Sequence, residues 1–148
     1  MNMGKGWLWA GGGLAALGLS VYGWTHRHFF FVHDVTSGES AAYPKLRSRV
    51  YYAEVGRVLS AAEKAIERLP GWTLVANDAE NDALEAETRT GLSTDDVTIY
   101  VQPLDQGQCR VTIRSRSRVG AGDLGRNAAH VRNLQKAMDD RLNADAAF

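Results

Sequence analysis

Residues 120–125 are the clearest candidate for chemistry in this chain, because their sequence GAGDLG matches the G-x-G-x-x-G fingerprint of dinucleotide-binding turns. Such turns need a second parallel strand, which supplies the acid that binds the ribose. Here no strand follows the next helix, and the preceding strand alternates polar and apolar residues, unlike a buried parallel strand. Asp123 would also repel a phosphate at the start of that helix. The sequence therefore predicts a tight strand-to-helix turn and no nucleotide site.

The potential nucleophiles do not stand in catalytic patterns. Cys109 is the single cysteine, so no intramolecular disulfide can form, and it alternates with Val111 and Ile113 on an apolar strand face. A thiol in apolar surroundings has a raised pKa and is unreactive. The serines lie outside the G-x-S-x-G pattern of hydrolases, and His130 has no nucleophile near it in sequence. We therefore predict that the protein is not an enzyme.

Four potential metal ligands lie close together in the sequence: His26, His28, His33 and Asp34. Imidazole nitrogens bind several transition metals. However, no pair of these histidines has the i, i+4 spacing of a helical site, and no cysteine joins them. We predict neither a metal site nor a bound cofactor.

A charged strand face is the strongest candidate for an interaction site. Polar residues alternate with apolar ones along the predicted strands, so their side chains share the face that the apolar residues leave. Seven residues form this candidate docking face: Glu85, Glu87, Arg89, Tyr100, Arg110, Arg114 and Arg116. One interpretation is a solvated face with cross-strand charge pairs, each contributing about 0.2–1 kcal/mol. The other is a surface that docks an acidic partner or lipid headgroups.

The elements that position these residues follow the order β-α-β-β-β-β-α. Residues 49–53 (RVYYA) predict a short strand, and residues 54–69 place apolar side chains at helical spacings of three and four. Pro70 and Gly71 end that helix. Residues 123–142 repeat the helical spacing, with Asp123 as the N-cap.

Between the two helices, four runs alternate with period two, and we expect them to form an antiparallel meander. The first run points Trp72, Leu74 and Ala76 inward, and a turn over residues 91–95 precedes the third. We predict an α+β domain over residues 49–143, with both helices on the one apolar face of the sheet. Residues 144–148 are expected to fray.

An uncharged run at residues 7–24 precedes this domain. Eighteen residues of helix span about 27 Å, close to the thickness of a bilayer core. Aromatic residues flank the run as an interfacial belt: Trp7, Trp9, Tyr22 and Trp24. We predict an N-terminal tail at residues 1–6, a transmembrane anchor at 7–28 and a juxtamembrane linker at 29–48. A cleaved signal peptide is the rival interpretation, but bulky rings occupy the positions that cleavage requires.

The anchor is rich in small residues, and two pairs have the small-xxx-small spacing of packed membrane helices. This candidate helix-packing face comprises Gly11, Gly12, Ala15 and Ala16. The positive-inside bias is slight, because Lys5 lies before the run and Arg27 after it. We expect a single-pass protein of the bacterial inner membrane with its domain in the periplasm.

The overall composition limits the possible partners. The 148 residues contain 17 basic and 17 acidic side chains, so the net charge is zero. Nucleic-acid-binding domains usually carry a basic excess, and we therefore predict no nucleic-acid partner. A hydrophobic fraction of 45% is typical of a folded domain.

The stretch SRSRVGAGDLGRN at residues 115–127 carries a family resemblance through its SRVG-x-x-DLG-x-N pattern. With residues 33–36 (HDVT), 70–72 (PGW) and 95–97 (DDV), it resembles the domain of unknown function family 1499. The resemblance covers about residues 33–142. It implies a single bacterial or plastid α+β domain, often behind an N-terminal membrane segment, and an envelope location. It brings no catalytic residues with it.

Two functions follow as expectations. The first is a membrane-anchored, non-catalytic interaction protein, an accessory or stabilising subunit of a larger inner-membrane complex of respiratory, photosynthetic or transport type. Its partners would be the membrane and an integral membrane protein. The second is an envelope carrier of a lipid or small apolar ligand between sheet and helices. The small inward residues Ala62, Ala76 and Ala86 would leave room for that ligand.

Overall fold

A computed structural model describes residues 33–91, 93–120 and 123–145. The predicted anchor at residues 7–28, with its aromatic belt and its helix-packing face, lies outside the described residues. Within the described part, neither helix is long and apolar enough to cross a bilayer. The anchor therefore stays a prediction.

The described residues fold into one antiparallel sheet and two long helices. The elements are β1 (Asp34–Thr36), β2 (Arg49–Tyr51), α1 (Val55–Arg68), β3 (Trp72–Asp78), β4 (Ala83–Thr90), β5 (Ser93–Pro103), a short 3₁₀ turn (Asp105–Gly107), β6 (Cys109–Ser117) and α2 (Arg126–Asp145). The strands lie in the order β1-β6-β5-β4-β3, and β2 also pairs with β6. The predicted meander of four strands is confirmed, since β3, β4, β5 and β6 pair as consecutive antiparallel neighbours.

Both helices pack on the inner face of the sheet, as predicted. Apolar side chains of α1 and α2 meet those of β4, β5 and β6 in one core. Its largest fully buried members include Ile66, Leu84, Ile99, Ile113, Leu134 and Met138. This arrangement follows from the periodicity of the sequence. Each helix has one apolar stripe and the sheet has one apolar face, and the two are buried against each other.

The end of α1 is fixed by the backbone. The amide of Leu69 donates hydrogen bonds to the carbonyls of Ala65 and Ile66, and Pro70 cannot continue the helix. Gly71 then takes a φ of +80°, a conformation that other residues adopt at a cost. This turn directs the chain into β3.

The predicted linker over residues 29–48 contains part of the domain, and its description as a linker is corrected here. Strand β1 pairs with β6, where Val35 lies opposite Ser115. Val35, Tyr43 and Leu46 are buried in the core. Strand β1 cannot be recognised in the sequence, because three residues are too few to show an alternating pattern.

Strand β3 departs from its predicted alternation. The register shifts between Leu74 and Ala76, so that Leu74 pairs with Ala86 while Ala76 pairs with Glu85. Such a bulge inserts one residue and changes the face of those that follow. Ala76 is therefore exposed, and its predicted inward position is wrong. Trp72, the first residue of β3, is half-buried.

Three boundaries also differ. The predicted turn over residues 91–95 is shorter, because β5 begins at Ser93 and Asp95 is a fully buried strand residue. Helix α2 begins at Arg126, three residues after the predicted cap, and continues to Asp145 into the tail expected to fray. Strand β2 ends at Tyr51, before Ala53.

Candidate functional site

The seven residues of the candidate docking face lie together on the outer face of the sheet, which neither helix covers. The register aligns Arg114 with Thr98, and Thr98 with Glu85. A neighbouring row aligns Arg116 with Asp96, and Asp96 with Glu87. The Tyr100 side chain is 46% exposed on the same face. The structure thus brings all seven into one surface across β4, β5 and β6.

Part of this surface is neutralised by its own ion pairs. Arg114 Nε and Nη2 donate to the two carboxylate oxygens of Asp34 at 3.0 and 2.5 Å. These hydrogen bonds lower the pKa of Asp34. Arg118 donates to both Asp96 and Glu87 and bridges β5 to β4. Both arginines are more than 40% exposed, so solvent screens these pairs and they contribute little to stability.

The other charged residues of the docking face are not neutralised by ion pairs of this kind within the described part of the chain. Four of its residues make no ion pair with any described residue: Glu85, Arg89, Arg110 and Arg116. Beside Arg110 lies a recess of about 560 Å³, which Arg47, Gln102, Thr112 and Glu39 also line. The two arginines outnumber the single acidic residue, Glu39, so this end of the face carries an excess positive charge that a carboxylate can pair with.

A second group of polar residues is buried under the opposite, inner face of the sheet. It lies where the start of α2 meets β5 and β6. We refer to these residues as the inner polar cluster: Asp95, Ser115, Ser117, Asp123, Arg126, Asn127 and His130. All of them except Arg126 are buried. Buried polar groups must be hydrogen-bonded to be tolerated.

Asp95 is the anionic centre of the inner polar cluster. Arg126 Nε and Nη2 donate to its two carboxylate oxygens at 2.6 and 2.9 Å. These hydrogen bonds raise the pKa of Arg126. The Nδ1 atom of His130 lies 3.6 Å from Asp95 Oδ2. Burial lowers the pKa of His130, and the charge of Asp95 opposes that effect. His130 is also in edge-to-face contact with the Trp72 ring.

Asn127 connects the cluster to β6 and to the residue before β1. Its Oδ1 accepts a hydrogen bond of 2.6 Å from Ser115, and its Nδ2 donates to Ser117 Oγ at 2.9 Å. The same Nδ2 donates to the carbonyl of His33 at 3.1 Å. This one amide therefore holds α2, β6 and the residue before β1 together.

Asp123 organises the glycine-containing turn before α2. Its Oδ1 accepts from the amide of Gly125 at 2.9 Å, and its Oδ2 accepts from the amide of Asn127 at 2.6 Å. The aspartate caps the helix start as predicted, although α2 itself begins later. Its carboxylate occupies amides that would face a phosphate in a nucleotide-binding turn. That the turn binds no nucleotide stays a prediction.

The inner polar cluster contains serine, histidine and aspartate, but not in the geometry of a hydrolase. In a catalytic triad the serine and the aspartate contact opposite nitrogens of the histidine. Here Ser115 Oγ lies 3.3 Å from His130 Nδ1, the same nitrogen that faces Asp95. Ser115 also donates its own hydrogen to Asn127. The arrangement can hold charge and fix α2, but it cannot relay a proton from Ser115 to Asp95.

The other predicted candidates for chemistry lie apart from this cluster. Cys109 is buried as predicted, its Sγ donates to the carbonyl of Ala53, and burial raises the pKa of its thiol. His33 is exposed, and the carboxylate of its neighbour Asp34 is held by Arg114. Among the described residues, no three His, Cys, Asp or Glu side chains are placed so that they could hold one metal ion. His26 and His28 lie outside them.

Sequence reasoning missed the inner polar cluster as a unit. Its members come from three separated segments, and the sequence pattern predicts a turn at Asp95. The available signal was the SRSRVGAGDLGRN stretch, which contains Ser115, Ser117, Asp123, Arg126 and Asn127. Alternation along β6 places both serines inward beside Cys109 and Val111.

The architecture defines a class in which two helices pack against one face of an antiparallel sheet. A protein from Nitrosospira multiformis has a similar structure, with 12% identity and a TM-score of 0.54 over 78% of this chain and 99% of that chain. Norcoclaurine synthase from Thalictrum flavum is also similar, with 9% identity and a TM-score of 0.51 over 75% of this chain and 86% of that one. At such identities the likeness shows the fold alone.

The family follows from the sequence. The model of the family described as Protein of unknown function (DUF1499) matches residues 31–138, and the chain belongs to that family. The resemblance predicted from the SRVG-x-x-DLG-x-N stretch is therefore confirmed. No curated protein matches the sequence.

We expect His130 to make the stability of the domain depend on pH. Its pKa is below the ordinary value of 6.5 in the folded state, so the unfolded state binds the proton more readily. The contribution of neutral His130 to the free energy of unfolding is therefore fully present above about pH 6.5. It is lost as the pH decreases below that value, by at most about 1.4 kcal/mol per pH unit. Urea unfolding between pH 7.5 and 5 measures this slope. His130→Gln should flatten it, and an unchanged slope would contradict the assignment.

Proposed function

We propose that this protein is a membrane-anchored interaction protein without catalytic activity, an accessory or stabilising subunit of a larger complex in the bacterial inner membrane. The proposal places its domain in the periplasm behind the predicted anchor. The outer face of the sheet is the surface that would contact the partner. The single observation that carries the proposal is this uncovered face with its unpaired charges.

The distribution of charge on that face supports an acidic contact on the partner. Arg110 and Arg47 border the recess at one end, and Arg116 lies further along β6 without an ion pair among the described residues. Tyr100, nearly half exposed, lies between these arginines and Glu85. An aromatic side chain with arginines around it is a common composition at the centre of protein interfaces.

The inner polar cluster supports a role without catalysis. The side chains of Asp95, Ser115 and Asn127 are satisfied by other groups of the domain. Asp95 and Ser115 approach the same nitrogen of His130, as described above. These residues therefore serve to fix α2 and β1 on the sheet that carries the docking face.

A photo-crosslinking experiment in native membranes tests this proposal. Tyr100 is replaced by p-benzoylphenylalanine in the full-length chain, and Glu67, exposed on α1, receives the same replacement as a matched control. We expect one membrane protein to crosslink stoichiometrically from position 100 and not from position 67. The Arg110→Glu substitution should reduce the yield of that crosslink at position 100. Equal yields from both positions, or no adduct from either, would reject the docking face.

The carrier of a lipid or small apolar ligand is the second candidate. The fold favours it, since a structure of norcoclaurine synthase with this architecture is in complex with dopamine and hydroxybenzaldehyde. The packing opposes it, because Ala62 and Ala86 are surrounded by a core of fully buried large side chains and Ala76 lies outside that core. Purification of the chain without a partner, but with a bound small molecule in native mass spectrometry, would favour this second function.

A further inference from the structure

A groove runs along the outer side of the helical layer, on the opposite side of the domain from the docking face. Its volume is about 540 Å³, and both helices contribute to it. Ala61, Ala65 and Ala137 line it with small side chains, so the long side chains around them can enclose a group that enters between the helices. Neither the inner polar cluster nor the docking face contributes a residue.

The charge of this groove is strongly positive. Four basic residues line it: Arg57, Lys64, Arg68 and Arg141. Of these, Lys64, Arg68 and Arg141 make no ion pair with any carboxylate of the described part. The single acidic residue in the lining is Asp140, whose carboxylate accepts from Lys136 at 2.7 Å. In a chain of zero net charge, this is a local concentration of cations.

We propose that this groove binds the phosphates of anionic phospholipid headgroups and lays the helical layer against the membrane surface. The inference rests on the predicted anchor of the proposed function. Residues 25–32 are the only ones between the uncharged run and His33, and eight extended residues reach at most about 27 Å. A domain of this size has a radius of gyration of about 13 Å, so the tether keeps the groove within reach of the headgroups.

The geometry also assigns separate roles to the two faces of the domain. With the helices on the lipid surface, the outer face of the sheet points away from the bilayer. The docking face is then presented to a portion of the partner that projects from the membrane. Basic residues near an anionic surface strengthen attachment about five-fold each, and this attraction decreases with salt.

Reconstituted vesicles test the inference with the full-length chain. A fluorophore is attached at Ser60→Cys, within the groove, while the native Cys109 is 2% exposed and its thiol is protected. A quencher is carried by the lipid headgroups, so the readout is contact of the groove and not retention by the anchor. We expect strong quenching in vesicles of equal phosphatidylglycerol and phosphatidylcholine. Quenching should be weak in pure phosphatidylcholine and should disappear in 0.5 M salt (about a 4 Å screening length).

Charge reversal provides the matched controls. Lys64→Glu with Arg68→Glu should weaken the contact at least about twenty-fold, and Arg141→Glu alone should weaken it about five-fold or more. Arg89→Glu makes the same change of charge as Arg141→Glu, but on the docking face, and should leave the quenching unaltered. Circular dichroism confirms that each variant is folded. Equal quenching in both lipid compositions, or full quenching in the double variant, would overturn the inference. Crosslinking from position 100 is a separate readout, so the two proposals can fail independently.

Discussion

Asp95→Asn should lower the free energy of unfolding by about 3 kcal/mol or more, the largest loss expected from a single change of charge in this domain. The substitution keeps the shape of the side chain and removes only its charge. Asp95 is fully buried, and it holds Arg126 through two hydrogen bonds. Without the carboxylate, the partly buried guanidinium loses its ion pair and keeps only the weaker attraction of Asp123. The loss is measured by urea unfolding of the full-length chain, followed by circular dichroism.

The adjacent residue supplies the control. Asp96 is on the same strand, but its side chain points outward to Arg118 and is 49% exposed. Asp96→Asn should produce a far smaller loss, because solvent screens exposed ion pairs. Similar losses at the two positions would show that the inner polar cluster contributes nothing beyond an ordinary surface pair. His130 adds a second readout, since Asp95→Asn removes the charge that favours its protonated form and should lower its pKa further.

Gly71→Ala is the second large effect that we expect, with a loss of about 2–5 kcal/mol. The positive φ of Gly71 accounts for about 1–2 kcal/mol of this. A methyl group at this position would also lie 2.8 Å from the carbonyl oxygen of Arg89. That oxygen belongs to backbone that is hydrogen-bonded to Gly71 itself, so it cannot move freely. Forcing the strands apart adds about 1–3 kcal/mol.

Gly91→Ala separates these two contributions. Gly91 has a φ of +60°, but a Cβ atom there would meet no described atom within 4 Å. Its replacement should therefore cost only the backbone contribution of about 1–2 kcal/mol. The same urea unfolding experiment measures both variants. If the two losses were equal, the close approach of Gly71 to Arg89 would have no energetic effect.

The periodic parts of the fold could be predicted from the sequence, and the irregular parts could not. Alternation identified β4, β5 and β6 because each strand has one buried and one solvated face. Helical spacing identified α1 and α2 for the same reason. Strand β1 is held by pairing with β6 across about 80 residues, and no local pattern records such a contact. The bulge before Ala76 likewise depends on the partner strand and not on the residues of β3 alone.

The docking face could be predicted from local patterns, whereas the inner polar cluster could not. The docking face was predictable because residues two apart in a strand share a side, as Arg114 and Arg116 do. The inner polar cluster was not, because Asp95 and His130 meet only after the sheet and α2 have packed. A buried aspartate in a strand also contradicts the usual preference of that residue for turns. The basic groove likewise combines residues of two helices that are distant in the sequence, such as Arg68 and Arg141.

The pairing of β1 and β2 with β6 has a consequence for the order of events during synthesis. Asp34 and Arg49 emerge early, but their partners, Arg116 and Val111, are among the last strand residues to be made. Long-range pairing of this kind carries a high entropic cost of loop closure and is slow. The meander of β3 to β5 can form first on α1, and β6 then recruits the two early strands. We therefore expect the nascent domain to remain incomplete, and open to chaperones and proteases, until the last quarter of the chain has emerged.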